Sequence, residues 1–307
     1  MIKTRKPILV TGSHRSGSTW AGKMLAASPH TAYIHEPFNI NHRCKWTSSP
    51  FKNWFQYICE ENSDHYEALL DRVVHYKYPL GDNLVKVRGA RDVAKITRDQ
   101  GMSLLHKINK DTPIVKDPIA LFSADWLSRT FDMNVLVMIR HPAAFCSSLK
   151  LKDWKFDFNN FLDQPLLINR YLGKFEEEIC ECAQNEKDII HQAILLWNCI
   201  HYTINIYRKN HPEWLFVRHE DLSLDPVTQF HLIYEKFGLE FTHQTKAIIL
   251  ESSDIHNPIE QNSANEFKRN SKENIYNWKN RLSQNEIVRI KEKTSEISNL
   301  FYAEHEW

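Results

Sequence analysis

The chain has 307 residues, of which 42% are hydrophobic, and a formal net charge of +1 at pH 7. This length allows one large domain or two small ones, and the hydrophobic fraction is ordinary for a soluble globular protein. A net charge so close to zero provides no overall field for nucleic acid or anionic lipid, so any anion must be recognised locally. The sequence has no internal repeat or low-complexity linker, and we therefore expect a single domain over residues 1–307.

The sequence indicates neither a targeting segment nor a metal site. The basic first six residues precede an apolar run of only about four residues, which is too short for a signal sequence or a membrane span. The six cysteines show no paired spacing, and we expect them to be reduced thiols of a cytoplasmic enzyme. The sixteen histidines occur without a His-Glu-x-x-His or Cys-x-x-Cys motif, so we expect no metal.

Short apolar runs alternate with helical stretches along the chain. They predict strands at residues 8–11, 32–35, 85–88, 113–116, 135–140 and 214–218. Strands that alternate with helices imply an α/β fold, in which a central parallel sheet carries helices on both faces. The longest predicted helix covers residues 188–210 and ends before a His-Pro pair.

A polar stretch at residues 251–277 interrupts this alternation. It is rich in Asn, Ser, Glu and Lys, a composition typical of a mobile surface loop or of a lid over a ligand. After it, Ser283 and Glu286 have the spacing of a capping box and predict the start of the final helix.

The loop after the first predicted strand is typical of phosphate binding. Gly12 and Gly17 have the Gly-x-x-x-x-Gly spacing of a nucleotide P-loop, and residues 19–27 favour helix. A tight turn that enters a helix N-terminus presents several backbone N–H groups to an anion. The lysine of the nucleotide motif is missing, because Ser18 follows Gly17 directly and Arg15 is the only cation inside the loop. The loop therefore suits a phosphate group but not Mg-ATP.

Charged side chains follow four of the predicted strands. Arg15 follows the first strand, Glu36 the second, Lys116 and Asp117 the fourth, and Arg140 the fifth. Because ligands of open parallel sheets bind beyond the carboxyl ends of the strands, these side chains predict a polyanionic ligand beside an acid or base. The fifth strand ends in Arg140 rather than in the Mg-binding Asp that is common in P-loop kinases and GTPases.

This pattern resembles the sulfotransferases that use 3′-phosphoadenosine 5′-phosphosulfate (PAPS), most closely the bacterial and carbohydrate-directed branch of that P-loop superfamily. Residues 14–20 resemble the phosphosulfate loop of the family, with Arg15 where many members have Lys. The resemblance implies that Arg15 and the loop N–H groups hold the 5′-phosphate and the sulfuryl oxygens without a metal. Trp20 is expected beside the adenine or, alternatively, as a buried helix aromatic. The implied donor contacts in this loop are Ser13, His14, Arg15, Ser16, Gly17, Ser18, Thr19 and Trp20.

Two further segments resemble the parts of this family that bind the 3′-phosphate. Arg140 and Ser148 match its 3′-phosphate motif, and both side chains can donate hydrogen bonds to a phosphate. Residues 268–271 and 277–280 resemble its basic nucleotide-closing loop and the Trp-Lys-Asn after that loop, whereas residues 219–226 resemble a turn that is structural in the family. The closing-loop candidates for the 3′-phosphate are Lys268, Arg269 and Lys272, of which we favour Arg269.

The resemblance also implies an acid–base pair for in-line sulfuryl transfer. Lys116 matches the lysine that bridges the leaving oxygen, a task that Arg15 would share. Cytosolic members place a histidine base two residues after that lysine, and Pro118 stands there in this chain. Carbohydrate-directed and bacterial members use a Glu-Pro motif instead, and Glu36 matches that glutamate.

We therefore predict that Glu36 is the general base, since an acceptor hydroxyl must lose its proton as the new bond to sulfur forms. Glu36 could instead serve only as an ion-pair partner. His35 and Asp117 are the reserve bases, and Asp117 could alternatively hold Lys116 in position.

The sequence says less about the acceptor substrate than about the nucleotide donor. Residues 38–83 and 150–175 are rich in aromatic side chains, which either line an acceptor cleft or fill the core. The Glu-Pro motif favours a carbohydrate or glycolipid acceptor by resemblance alone, and a small alcohol or phenol is the alternative acceptor. Two alternative functions also remain: a P-loop kinase or switch protein that uses ATP or GTP, and a non-catalytic relative. The aromatic residues concerned are Trp46, Phe51, Trp54, Phe55, Tyr57, Trp154, Phe156, Phe158, Phe161 and Tyr171.

Overall fold

The computed structural model of the chain describes residues 5–41, 44, 50–85, 87–254, 256–257 and 271–307. Its centre is a five-stranded sheet with the strand order β2-β3-β1-β4-β5, and every neighbouring pair of strands is parallel. The strands are β1 (Ile8–Gly12), β2 (Thr31–His35), β3 (Thr112–Lys116), β4 (Asn134–Ile139) and β5 (Leu215–Arg218).

Five of the six strand predictions are confirmed, and the one at residues 85–88 is wrong. That run follows a short helix, Leu80–Leu84, and Val85 is 89% exposed. An apolar run of this length fits the end of a helix as well as a strand, and periodicity alone does not separate the two.

The sheet is buried on both faces, as its apolar strands predicted. Along β1, Leu9 points into one hydrophobic cluster, whereas Ile8 and Val10 point into another on the opposite face. Successive side chains of a strand point to opposite faces, so each strand contributes to both clusters. The predicted α/β architecture, a parallel sheet enclosed by helices, is therefore confirmed.

Helices surround the sheet. They are α1 (Ser18–Leu25), α2 (Glu67–Val74), α3 (Leu80–Leu84), α4 (Ala90–Ile108), α5 (Ala124–Thr130), α6 (Pro142–Lys152), α7 (Asn159–Leu162), α8 (Pro165–Leu167), α9 (Glu176–Gln184), α10 (Ile189–Asn210), α11 (His219–Leu224), α12 (Pro226–Phe237), α13 (His243–Ser252), α14 (Ser271–Asn274), α15 (Trp278–Arg281) and α16 (Gln284–Ser298). Short 3₁₀ helices occur at Ser63–His65, Pro118–Ser123, Gly173–Phe175 and Glu304–Glu306, and Ile168–Leu172 forms a π-helical turn.

Two helix predictions are confirmed in detail. Asp188 caps α10 by accepting hydrogen bonds from the backbone N–H groups of its first turn. Ser283 and Glu286 form the predicted capping box of α16. Most of the polar stretch at residues 251–277 lies outside the described residues, so the prediction of a loop or lid there stays a prediction.

Across the described residues, no helix combines the length and the apolar character needed to cross a membrane. In the same part of the chain, no three His, Cys, Asp or Glu side chains are grouped so that they could hold a metal ion.

Candidate active site

The phosphate loop is a tight connection between β1 and α1 whose two glycines are required by geometry. Gly12 has φ +123°, and a Cβ atom there would lie 2.1 Å from the backbone oxygen of Met138 on the neighbouring strand β4. Gly17 has φ +82° and precedes α1, and a Cβ atom there would lie 2.5 Å from Nδ1 of His219. Both positions therefore exclude any larger side chain.

Some polar groups of the phosphate loop find their hydrogen-bond partners within the loop, and others do not. The hydroxyl of Ser16 donates a hydrogen bond to the backbone oxygen of Ser13. The hydroxyl of Ser13 is fully buried and has no hydrogen-bond partner among the residues that the structure describes. Ser18 and Thr19 open α1 directly after Gly17, so their N–H groups belong to the unsatisfied first turn of a helix. A buried hydroxyl beside free helix N–H groups is a fitting cradle for the oxygens of a bound phosphate.

Arg15, Arg140 and Ser148, which come from two distant parts of the sequence, meet at this loop. The Nε atom of Arg15 donates a 2.9 Å hydrogen bond to the hydroxyl of Ser148, which lies on α6. A terminal nitrogen of Arg140, directly after β4, donates a 2.7 Å hydrogen bond to the backbone oxygen of Arg15. The phosphate loop, the end of β4 and the second turn of α6 therefore place two guanidinium groups and one hydroxyl side by side.

Buried contacts fix the backbone at the end of β4. The indole N–H of Trp197 donates a 2.9 Å hydrogen bond to the backbone oxygen of Arg140. The N–H of His141 donates to the buried carboxylate of Glu220, which also accepts a bond from the hydroxyl of Tyr302. Glu220 belongs to the turn at residues 219–226, and these bonds give that turn a structural task beside the site.

Arg15 lies in a strongly cationic environment. Its pKa is lowered from the usual value, first by burial and then by the positive charge of Arg281. Arg281 ends α15, a helix that packs against α6. Arg281 could not be predicted as a site residue, because nothing in its position along the chain connects it with the phosphate loop.

On the other side of β1, Lys116 and Glu36 form an ion pair. The ammonium group of Lys116 donates to the carboxylate of Glu36, which also accepts a 2.6 Å hydrogen bond from the side-chain amide of Asn39. The Lys116 side chain is fully buried, and that of Glu36 is 17% exposed. Burial acts to raise the pKa of Glu36, but the charge and the hydrogen bond of Lys116 outweigh it, so the pKa lies below the usual value.

The backbone positions Glu36 with some strain. Its φ is +40°, in the left-handed region that non-glycine residues rarely adopt, and its N–H donates a 2.8 Å hydrogen bond to the backbone oxygen of Lys116. Arg15 has φ +62° and is strained in the same way. Strained residues persist where the surrounding structure holds them, and they are common in active sites.

Asp117 is placed as a backbone anchor. One carboxylate oxygen accepts a 2.6 Å hydrogen bond from the N–H of Phe38, and the other accepts a 3.0 Å bond from the N–H of Ile119. Complete burial, followed by the negative charge of Glu36, raises the pKa of Asp117 to about 7. These bonds join the loops after β2 and β3, which makes a positioning role more consistent with the geometry than proton transfer.

His14 lines a small cavity and lies close enough to Glu36 for the charge of Glu36 to act on its ring. Burial, followed by the charge of Arg15, lowers the pKa of His14 to about 3, so the ring is neutral at physiological pH. Its ring lies 5.1 Å from that of Trp154 and 5.7 Å from that of Phe55. The cavity has a volume of about 150 Å³ and is lined by His14, Trp54, Phe55, Ile119, Trp154, Lys155, Phe156, Asp157, Asn160 and Leu196.

The predicted aromatic residues divide between this cavity and the core. Four of the aromatic residues named above border the cavity, namely Trp54, Phe55, Trp154 and Phe156. Five members of the predicted set are buried in the larger hydrophobic cluster instead of bordering this cavity: Phe51, Tyr57, Phe158, Phe161 and Tyr171. Trp46 lies outside the described residues.

For Trp20 and the nucleotide-closing loop, the sequence left open which residues contact the nucleotide donor. Trp20 is only 9% exposed, packs edge-on against Phe230, and donates a 2.9 Å hydrogen bond to the hydroxyl of Ser252. This environment matches the alternative of a buried helix aromatic. Lys268 and Arg269 lie outside the described residues, whereas Lys272 is exposed on α14.

Comparison with known proteins agrees with this geometry. The model of a sulfotransferase family matches residues 7–243, and a search of curated proteins by sequence found no match. Three solved structures are similar over nearly the whole chain. The sulfotransferase domain of the curacin biosynthetic pathway is 14% identical, with 95% of this chain and 98% of that chain covered at a TM-score of 0.50.

The other two are the sulfotransferase domain of the Synechococcus PCC 7002 olefin synthase and mouse sulfotransferase SULT7A1 in complex with PAP. The first is 16% identical, covers 95% of this chain and 96% of that chain, and has a TM-score of 0.48. The second is 12% identical, covers 96% and 84%, and has a TM-score of 0.42. The family match confirms the predicted enzyme class, a sulfotransferase.

Proposed function

The chain belongs to the sulfotransferase family, and we propose that it transfers the sulfuryl group of PAPS to a hydroxyl group of a carbohydrate or glycolipid. The observation that carries the donor half of this proposal is the convergence of Arg15, Arg140 and Ser148. Two hydrogen bonds, of 2.9 and 2.7 Å, join Arg15 to the side chains of Ser148 and Arg140, which the sequence motifs assign to the other end of the same nucleotide.

On the donor side, each charged group of the nucleotide has a matching set of residues. Arg140 and Ser148 hold the 3′-phosphate, since a guanidinium and a hydroxyl both donate hydrogen bonds to phosphate oxygens. Arg15, the buried hydroxyl of Ser13 and the N–H groups at the start of α1 hold the 5′-phosphate and the sulfuryl oxygens. Arg269 is proposed as an additional contact to the 3′-phosphate.

Lys116 and Glu36 carry the chemistry in this proposal. PAPS supplies a sulfuryl group on a phosphate leaving group, so the acceptor oxygen forms a bond to sulfur as the bond from sulfur to the bridging oxygen breaks. The ammonium group of Lys116 neutralises the charge that develops on that bridging oxygen. The carboxylate of Glu36 takes the proton of the acceptor hydroxyl, and its lowered pKa keeps it ionised at neutral pH.

The cavity beside His14 is the proposed place for the acceptor. Its aromatic walls offer flat apolar faces to one ring of a sugar, and Asp157 and Asn160 add polar groups at its border. A small aromatic alcohol or phenol is a second candidate, because a volume of about 150 Å³ with four aromatic residues around it fits a single apolar ring.

A thermal-shift experiment tests the donor. We expect adenosine 3′,5′-bisphosphate (PAP) to raise the Tm with or without Mg²⁺, because a ligand that binds only the folded state stabilises it. Stabilisation by ATP or GTP that requires Mg²⁺, with none by PAP, would overturn the donor assignment. The acceptor is then found with PAPS by measuring PAP release in the presence of glycolipids, free sugars and phenols.

A further inference from the structure

Helix α4 exposes its apolar side. Helical periodicity places Val93, Thr97, Gly101, Leu104 and Ile108 along one stripe, with Leu105 at its border. Leu104 is 54% exposed, Leu105 52% and Ile108 66%. A helix on the surface of a globular protein normally turns such a stripe towards the core.

The opposite side of α4 is the one that is buried, and it is largely polar. Asp99 and Ser103 are each 3% exposed there, together with Ile96. Asp99 accepts hydrogen bonds from the guanidinium group of Arg98. The apolar stripe is therefore not explained by packing against the part of the chain that the structure describes.

Cations lie on both borders of the apolar stripe. Helical periodicity places Arg91 and Arg98 along one border and Lys107 along the other. The two carboxylates of α4, Asp92 and Asp99, lie towards its buried side. Residues 87–110 contain six Lys or Arg residues and two Asp residues, in a chain whose total net charge is only +1.

We propose that α4 lies on an anionic lipid surface, with its apolar stripe among the lipid chains and its bordering cations at the headgroups. An apolar stripe between rows of Lys and Arg is the pattern of a helix that binds in the plane of a membrane interface. Helix α3 packs against α4 and has exposed side chains at Leu80 and Leu84, and Val85 directly after it is exposed as well.

Charge favours a lipid surface over a second copy of this chain. A symmetric contact between two α4 stripes would bring the cationic borders of both copies against each other, because a two-fold interface uses the same patch on both subunits. Such like-charge contacts oppose association, whereas anionic headgroups complement both borders. The proposal does not depend on the sulfuryl-transfer reaction.

Co-sedimentation with lipid vesicles tests the proposal on the whole chain. We expect phosphatidylserine in phosphatidylcholine vesicles to raise the bound fraction about tenfold or more, with the gain reduced by added salt. The double substitution Leu104→Gln and Ile108→Gln removes apolar contact and is expected to lower binding about tenfold. Arg91→Gln with Lys107→Gln is expected to remove the preference for phosphatidylserine.

A matched control is available on α12, where Leu232 is 53% exposed and Lys236 follows one turn later. Leu232→Gln with Lys236→Gln should leave vesicle binding unchanged, and the Tm of each variant reports whether it folds. Absence of vesicle binding, or equal binding by the wild type and the α4 variants, would overturn the proposal. So would a dimer in sedimentation velocity that the α4 variant dissociates, because the stripe would then belong to a contact between copies.

Discussion

Two cations on neighbouring strands of this protein are held in opposite ways. Arg15, in the loop after β1, donates to the hydroxyl of Ser148, and no ion pair of Arg15 with a carboxylate is found in the described part of the chain. Lys116, at the end of β3, is buried against the carboxylate of Glu36. The first cation is bound by a neutral group, and the second is compensated by a negative charge.

This difference matches the two tasks that we assign to the site. A guanidinium bound by a neutral group keeps its charge for a ligand anion, so the Arg15 side is arranged for binding. When an ammonium group is paired with a carboxylate, the ammonium group can turn to the leaving oxygen while the carboxylate takes up a proton. The Lys116 side is therefore arranged for chemistry. Substitutions on the two sides should accordingly change different measured quantities.

The largest effect is expected on the Lys116 side, from Glu36→Gln. Loss of a general base should lower turnover by about 10²–10⁴, while the affinity for PAP stays near that of the wild type. Steady-state kinetics and a PAP titration measure the two quantities. Glu296→Gln, which removes a similar carboxylate paired with Lys174, serves as the control. Near-normal turnover in Glu36→Gln would remove Glu36 from the mechanism.

Lys116→Met should lower turnover by about 10²–10³, because one donor to the developing negative charge is lost. The substitution also removes the charge that lowers the pKa of Glu36, so burial should then dominate and raise that pKa. The acidic limb of the pH profile of kcat/KM is therefore expected to move to higher pH. An unchanged limb would mean that Glu36 does not control it, and Lys174→Met provides the control.

Arg140→Ala probes the binding side and should change affinity more than turnover. Loss of charge-assisted hydrogen bonds, worth about 1.5–3 kcal/mol, corresponds to a PAP affinity about 10–100-fold weaker. Calorimetric titration measures it. Arg208→Ala is the control, since Arg208 also donates to a backbone oxygen, that of Leu300, on an exposed surface. Unchanged affinity in Arg140→Ala would contradict the assignment of the 3′-phosphate.

The smallest effect is expected from Ser148→Ala. It removes one hydrogen bond from an uncharged donor, and PAP affinity should weaken by about 3–10-fold with little change in turnover. Ser147→Ala is a close control, because Ser147 is the preceding residue on α6 and its buried hydroxyl has no hydrogen-bond partner among the described residues. Equal effects of the two substitutions would argue against a specific contact of Ser148 with the nucleotide.

Much of the sheet and of the phosphate loop could be predicted from the sequence. Continuous apolar runs fixed the positions of five strands, and the spacing of Gly12 and Gly17 identified the tight turn between β1 and α1. The run at residues 85–88 misled because a short apolar segment carries no information on whether a neighbouring strand exists. Pairing is a property of the sheet and not of the segment.

The identity of the charged side chains at the strand ends was determined by the sequence, and their partners only by the tertiary structure. Parallel strands bring their carboxyl ends to one edge, so Arg15, Glu36, Lys116 and Arg140 were expected in one layer. Strand order and side-chain conformation decided that Arg15 meets Ser148, 133 residues away, and that Lys116 meets Glu36, 80 residues away.

Burial was likewise decided by the tertiary structure. Trp20 is enclosed in the core beside Ser252, whereas the apolar stripe of α4 points outwards. The sequence of α4 determined that the helix has an apolar side and a charged border, because helical periodicity follows from the chain alone. Which side faces the protein depends on what the neighbouring elements leave uncovered, and that is a property of the assembled fold.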